Sequence, residues 1–218
     1  MIDMIRLSIV LTVISCAAAL LIAVTNMKTR EQIASQQSAA QQEALLRIMP
    51  QGVHITENKI LPPSETDSIS YWTGVNGTDT VYAFKVGKRG YSSTINFLVC
   101  TTPEGTITGM TILDQSETPG LGSRVQEAIS KKYIWNGLVG PKEKTAPWFS
   151  EQFKGVSINR QVVIEKTMGE WHLLNEEQRK ALREKNGITA ITGSTISTRA
   201  VTSGLSSKAQ VYLKALRG

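Results

Sequence analysis

The sequence predicts an α+β domain, an antiparallel sheet with helices packed on it, preceded by one N-terminal transmembrane helix and a helical stalk. Three observations lead there. An apolar run extends from Met4 to Val24. Between Ser70 and Leu113, segments rich in β-branched and aromatic residues alternate with turn signals. Beyond Ile196, Val201, Leu205, Ala209, Tyr212 and Leu216 fall at helical spacing. The expected division is an anchor over 1–25, a stalk over 26–50 and a domain over 51–218, within the reach of a single core at 218 residues.

The run from Met4 to Val24 is broken only by Arg6 and small or hydroxyl residues, and matches the roughly 20 residues that cross a bilayer. A cleaved signal peptide would carry a shorter apolar stretch, about 7–15 residues, ending at small residues. Here the run continues past Ala17-Ala18-Ala19 into Leu20-Leu21-Ile22, which favours an uncleaved anchor. Val13-Ile14-Ser15-Cys16 resembles a lipoprotein cleavage box, but cleavage would leave Cys16 followed by an apolar stub; a cysteine packed within the span is the better reading. Cys100 ends an apolar strand-like run and reads as core filling. Two cysteines in such different settings make neither a disulfide nor a metal site.

From Asn26 to Met49 the chain is polar, rich in Ala, Gln and Ser, and free of Pro and Gly, so a helical stalk is expected up to Pro50. Ile33, Ala40, Ala44, Leu45 and Ile48 mark its docking face. The stretch 51–68, with Gly52, Pro62 and Pro63, reads as loop. Strands are expected over Ser70–Thr73, Thr80–Val86, Tyr91–Thr101 and Thr106–Leu113, the last two joined by a turn at Pro103-Glu104-Gly105. A short helix over Arg124–Lys132, an irregular stretch over Trp135–Phe153 and a strand over Val156–Glu165 follow. Asn175 caps a helix over Glu176–Lys185 that Asn186-Gly187 stops. In the C-terminal helix Ser197, Thr198, Lys208 and Lys214 are expected to face away from the core.

Two short motifs carry the chemistry. Thr192-Gly193-Ser194-Thr195 sets three hydroxyls around one glycine where the last helix begins. A helix N-terminus offers unpaired N–H groups and partial positive charge, a natural seat for phosphate. The plainer alternative is an N-cap, with one of the hydroxyls satisfying the first turn. Glu117-Thr118-Pro119-Gly120-Leu121-Gly122 places Pro-Gly where a type II turn needs them, and a second glycine keeps the backbone bare enough to lie against a flat ligand. By itself it is also a tight strand-to-helix loop.

With the anchor, these motifs resemble the FMN-binding domain shared by the G subunit of Rnf electron-transport complexes and the C subunit of sodium-translocating NADH:quinone reductase. That family carries ETPGLG, intact here at Glu117–Gly122, and a later Ser/Thr-Gly-Ala-Thr, here Thr192–Thr195. The resemblance takes in Gly90-Tyr91, at the expected start of a strand, and Ala190-Ile191. It implies FMN joined covalently through its phosphate to the Thr195 hydroxyl, installed by a flavin transferase that draws FMN from FAD. It implies a ring lying against Glu117, Thr118, Pro119, Gly120, Leu121 and Gly122, with Thr192, Gly193 and Ser194 around the phosphate. It further implies an electron-relay role beside other subunits of a membrane complex, with the domain on the extracytoplasmic side of a bacterial inner membrane. Two departures stand out: Thr189 where the family often has aspartate, and Ser194 where alanine is usual. Both lie where a transferase reads its target, and Ser194 adds a competing hydroxyl.

The residues exclude other classes. His54 and His172 have no His or Cys partner at i+3 or i+4, and Gly87-Lys88-Arg89-Gly90 lacks both Walker spacing and a following helix. Trp148 and Trp171 read as packing residues. The net charge of +6 is scattered without aromatic interleaving, which argues against nucleic-acid binding. Arg6 before the span and Lys28 and Arg30 after it do not favour an exported domain on charge alone. The length suits the Rnf subunit; the alternatives are the quinone-reductase C subunit and a flavin-less tethered module of the same fold.

Overall fold

A computed structural model describes residues 2–62, 68–77, 79–128 and 147–217. One continuous helix, α1, covers Ile2–Ile48. No proline or glycine interrupts it, and its apolar part is long and hydrophobic enough to cross a membrane. The chain divides into two compact units, Met1–Glu43 and Ala44–Gly218. The first is helical throughout its described length, and within it Ile33 and Ala40 are exposed. In the second, the last turn of α1 does pack: Leu45, Ile48 and Met49 are buried.

A five-stranded antiparallel meander forms the centre of the second unit, in the order β1 (His54–Ile60), β2 (Ile69–Asn76), β3 (Asp79–Arg89), β4 (Thr94–Thr101) and β5 (Ile107–Asp114). β1 corrects the expected loop. His54-Ile55-Thr56-Glu57 carries no strong apolar alternation because an edge strand with one half-buried face needs little. β4 begins at Thr94 and not at Tyr91, since Gly90–Ser93 forms a turn closed by the Gly90 amide on the Ser93 carbonyl at 2.7 Å. The Pro103-Glu104-Gly105 turn is present, with Gly105 at φ +89° donating to Thr102.

β4 is apolar almost throughout because both of its faces are covered. Phe97 and Val99 join Phe84, Val86 and Ile95 under the C-terminal helices. Leu98 and Cys100 join Trp72, Val81 and Ala83 under Leu45, Ile48 and Met49. Burial pushes the Cys100 thiol up to about 11 against an opposing hydrogen bond from Thr108.

After the sheet come a 3-10 turn over Gly122–Gln126, α2 (Trp148–Glu151), β6 (Val163–Glu165), α3 (Glu176–Glu184) and β7 (Gly187–Thr189). The expected helix over Arg124–Lys132 is thus a shorter 3-10 turn starting at Gly122, and residues 129–132 lie outside the described region, as do 135–146 of the irregular stretch. Of the predicted strand Val156–Glu165 only Val163–Glu165 forms a strand, in parallel with β7; Ser157 makes an isolated antiparallel bridge to Thr106, and the Asn186 side chain holds Ser157 and Arg160. α3 starts from a full capping box between Asn175 and Gln178 and stops at Asn186, φ +54°. Trp148 and Trp171 are buried in the core.

The final helix runs as α4 (Thr195–Gly204), a π-turn over Leu205–Ala209, and α5 (Gln210–Arg217). Steps of four residues overshoot an α-turn by about 40° each. The wide turn takes up that drift, so Val201, Leu205 and Ala209 all stay fully buried. Tyr212 reaches Phe84 at 6.0 Å between ring centroids. Lys214 is exposed as expected, but Ser197 and Thr198 are not: both are fully buried.

Candidate functional site

The sheet brings three distant segments to one end: the Gly90–Ser93 turn before β4, the Glu117–Gly122 loop after β5, and Thr192–Ser197 at the start of α4. Between them lies a cleft of about 310 Å³ lined by Tyr91, Glu117, Thr118, Leu121, Gly122 and residues 193–197. That volume falls within the usual range for small-molecule sites, about 300–1,000 Å³. Thr192, Pro119 and Gly120 stand outside this lining. Three large apolar side chains, Tyr91, Leu121 and Ile196, are left exposed around the cleft.

Each motif adopts a specific local geometry. In the first, the Leu121 amide closes on the Thr118 carbonyl at 3.1 Å with Gly120 at φ +75°, the geometry of a type II turn. The second glycine serves a purpose different from the one expected. A Cβ on Gly122 would collide with the Glu117 carboxylate and the Ser197 hydroxyl, so its bare face admits protein groups. In the second motif Gly193 has φ +76°, and a Cβ there would stand 3.2 Å from Leu121. The two glycine loops therefore touch.

Glu117 is buried and faces inward. Its Oε1 accepts from the Ser92 and Ser93 amides at 3.0 and 2.8 Å, and its Oε2 from the Tyr91 amide at 3.1 Å and the Ser197 hydroxyl at 2.7 Å. Burial alone would raise its pKa; the Ser197 hydroxyl and the three amides outweigh burial and hold the carboxyl below its ordinary value. Glu170 makes a second clamp. It takes a bidentate pair from Arg124 at 2.7 and 2.8 Å and accepts the Thr192 amide at 3.1 Å. Here too burial is outweighed, by Arg124 and then by Thr192, and the carboxyl stays low.

Helix α4 begins without a side-chain cap, which sets aside the plain capping alternative and leaves first-turn N–H groups available. The three hydroxyls of the motif differ. Thr192 is exposed and outside the cleft lining, with its amide on Glu170. Ser194 Oγ lies 3.0 Å from Ser197 Oγ. Thr195, half-buried on the cleft wall, makes no side-chain hydrogen bond among the described residues. Position 189 does not face the cleft: Thr189 is fully buried, donates to Gln152 at 3.1 Å and accepts the Trp171 amide at 2.9 Å.

Sequence reasoning missed Ser197, Arg124 and Glu170. Ser197 had a signal, its i+3 spacing from Ser194; Glu170, far from both motifs in sequence, had none.

Residues 90–210, which contain every segment of this cleft, match the FMN-binding domain family. The chain belongs to the FMN-binding domain family. Residues 1–48 also match the RnfG N-terminal region. The chain is 28% identical to the G subunit of the Na(+)-translocating ferredoxin:NAD(+) oxidoreductase complex of Acetobacterium woodii, over 95% of this chain and 90% of that protein. It is 25% identical to the G subunit of the ion-translocating oxidoreductase complex of Vibrio atlanticus, over 81% of this chain and 92% of that one. Among solved structures, Shewanella oneidensis NqrC is similar at 17% identity and a TM-score of 0.48, over 73% of this chain and 69% of that chain. As an FMN-binding domain the cleft has fitting parts: apolar side chains for a flat ring, uncapped helix N–H groups for a phosphate, and the Thr195 hydroxyl at the start of α4.

Proposed function

We propose that this chain is the membrane-anchored G-type subunit of an Rnf-type ion-translocating complex, carrying FMN as a phosphoester on Thr195. The observation that carries the reading is the hydroxyl inventory of the second motif: Ser194 is tied to Ser197, Thr192 stands outside the cleft lining, and Thr195 lines the cleft with no side-chain hydrogen bond among the described residues. The likeness to two G subunits over most of the chain supports the complex. Bound FMN supplies one- and two-electron transfer. The chain's own residues would hold and orient it: Thr195 as the attachment point, the start of α4 toward the phosphate, and Thr118 toward the polar edge of the ring. Leu121, Ile196 and Tyr91 keep water from its faces. A covalent link removes dissociation, which suits a domain on the extracytoplasmic side.

The test is co-expression with a flavin transferase, export and peptide mapping. The protein should gain the mass of one FMN less water on the peptide bearing Thr195, and Thr195→Ala should remove that mass and the in-gel fluorescence. The fold should survive, since the Thr195 side chain makes no hydrogen bond among the described residues. Wild-type protein without covalent flavin, or with its label mapped away from Thr195, overturns the reading and favours a flavin-less tethered module.

A further inference from the structure

We infer that Ser197, backed by Glu117, is the residue that directs modification to Thr195 by withdrawing the neighbouring Ser194 hydroxyl; this rests on the covalent reading above. The argument is a count of protons. Glu117 is ionised and accepts at both oxygens, so it has no proton to give. Each serine hydroxyl has one proton. Ser197 gives its own to Glu117 Oε2 at 2.7 Å. The 3.0 Å contact between Ser194 and Ser197 is then a hydrogen bond only if Ser194 donates to Ser197. Ser194 lines the same cleft as Thr195, yet its proton points inward along a one-way chain and its rotamer is fixed by it. Thr195 has neither constraint.

The relay needs the backbone it has. Gly122 is bare where Ser197 and Glu117 meet, and Gly90 is bare where the other side of the Glu117 carboxylate sits, 2.7 Å from where a Cβ would be. The carboxylate, fed by three amides, cannot turn away to release Ser197 without leaving those amides unpaired.

In the transfer, the acceptor oxygen bonds to the FMN phosphorus of FAD, the pyrophosphate P–O bond breaks, AMP leaves, and the hydroxyl proton is released. A hydroxyl whose proton is held within the protein is the poorer acceptor. Ser197→Ala removes the hold, and Ser194 is free to rotate into the cleft.

Four exported proteins are compared after co-expression with the transferase: wild type, Thr195→Ala, Ser197→Ala, and the Thr195→Ala/Ser197→Ala double variant, each mapped by peptide mass and checked by thermal melting. Thr195→Ala should carry no FMN, whereas the double variant should regain one FMN less water, on Ser194. Ser197→Ala alone should divide its label between Thr195 and Ser194. If Ser197→Ala impairs folding, Ser197→Cys keeps the volume with a weaker donor and carries the same expectation. A folded double variant without label overturns the inference, as does Thr195→Ala labelled on Ser194 beside a wild type labelled on Thr195. Absence of label from the wild type counts against the covalent reading itself.

Discussion

A single carboxylate, Glu117, joins the three segments of the site, and its chemistry sets how the site responds to acid. Its pKa is depressed in the folded protein, so the stabilisation is fully present above the ordinary carboxylate value of 4.5 and is lost as pH falls through the lower folded value. Wild-type domain should therefore lose stability below about pH 4.5. Glu117→Gln should be less stable at neutral pH, by about 1–3 kcal/mol for amides left with a poorer acceptor. It should also show a flatter acid limb in urea unfolding between about pH 3 and 6. An unchanged limb would mean that this carboxylate is not among the groups that titrate on unfolding. The same residues mark where sequence reading stops. The Pro-Gly of ETPGLG announced a tight turn, and φ +75° at Gly120 bears that out. What presses against Gly122 was not legible, because Ser197 reaches it only after the chain has folded back.

Among the elements, those with a regular period were legible and those shaped by long-range partners were not. The inner strands alternate or run apolar, α3 carries its own capping box, and the last helix shows its apolar stripe; all three were anticipated. β1 was hidden because an edge strand needs only one partner, and the Gly90–Ser93 turn looked like strand because its amides are claimed by a residue on a different loop. Ser197 and Thr198, polar and so assigned to solvent, are buried because each has a bonding partner, Glu117 and the Ile191 amide. The seating of α4 on the sheet is tight at Gly204, where a Cβ would stand 3.0 Å from Phe97 and 3.2 Å from Val86. Phe97 and Val86 are fully buried and have no room to retreat. Gly204→Val should cost about 1–3 kcal/mol by overpacking, read as a lower urea midpoint. An unchanged midpoint would show that the helix slides freely on the sheet.

For the whole molecule, the prediction concerns which side of the membrane holds the domain. The basic residues flanking the span are too few to decide, Arg6 on one side and Lys28 and Arg30 on the other. The proposed covalent flavin points to the outside. A C-terminal alkaline phosphatase fusion should be active and a C-terminal β-galactosidase fusion inactive; the reverse pattern would put the domain in the cytoplasm. The end of α1 bears on how such a domain is isolated. Gly109 on β5 is bare where the Ile48 backbone comes within 2.5 Å of a would-be Cβ, so the last turn of the anchoring helix is seated in the sheet as a core element. A protease or an engineered start site that separates anchor from domain upstream of Ala44 sheds a finished globule. One acting beyond Pro50 strips the lid from Ala83, Leu98 and Cys100 and releases a fragment with an open apolar wound, prone to stick to its own kind.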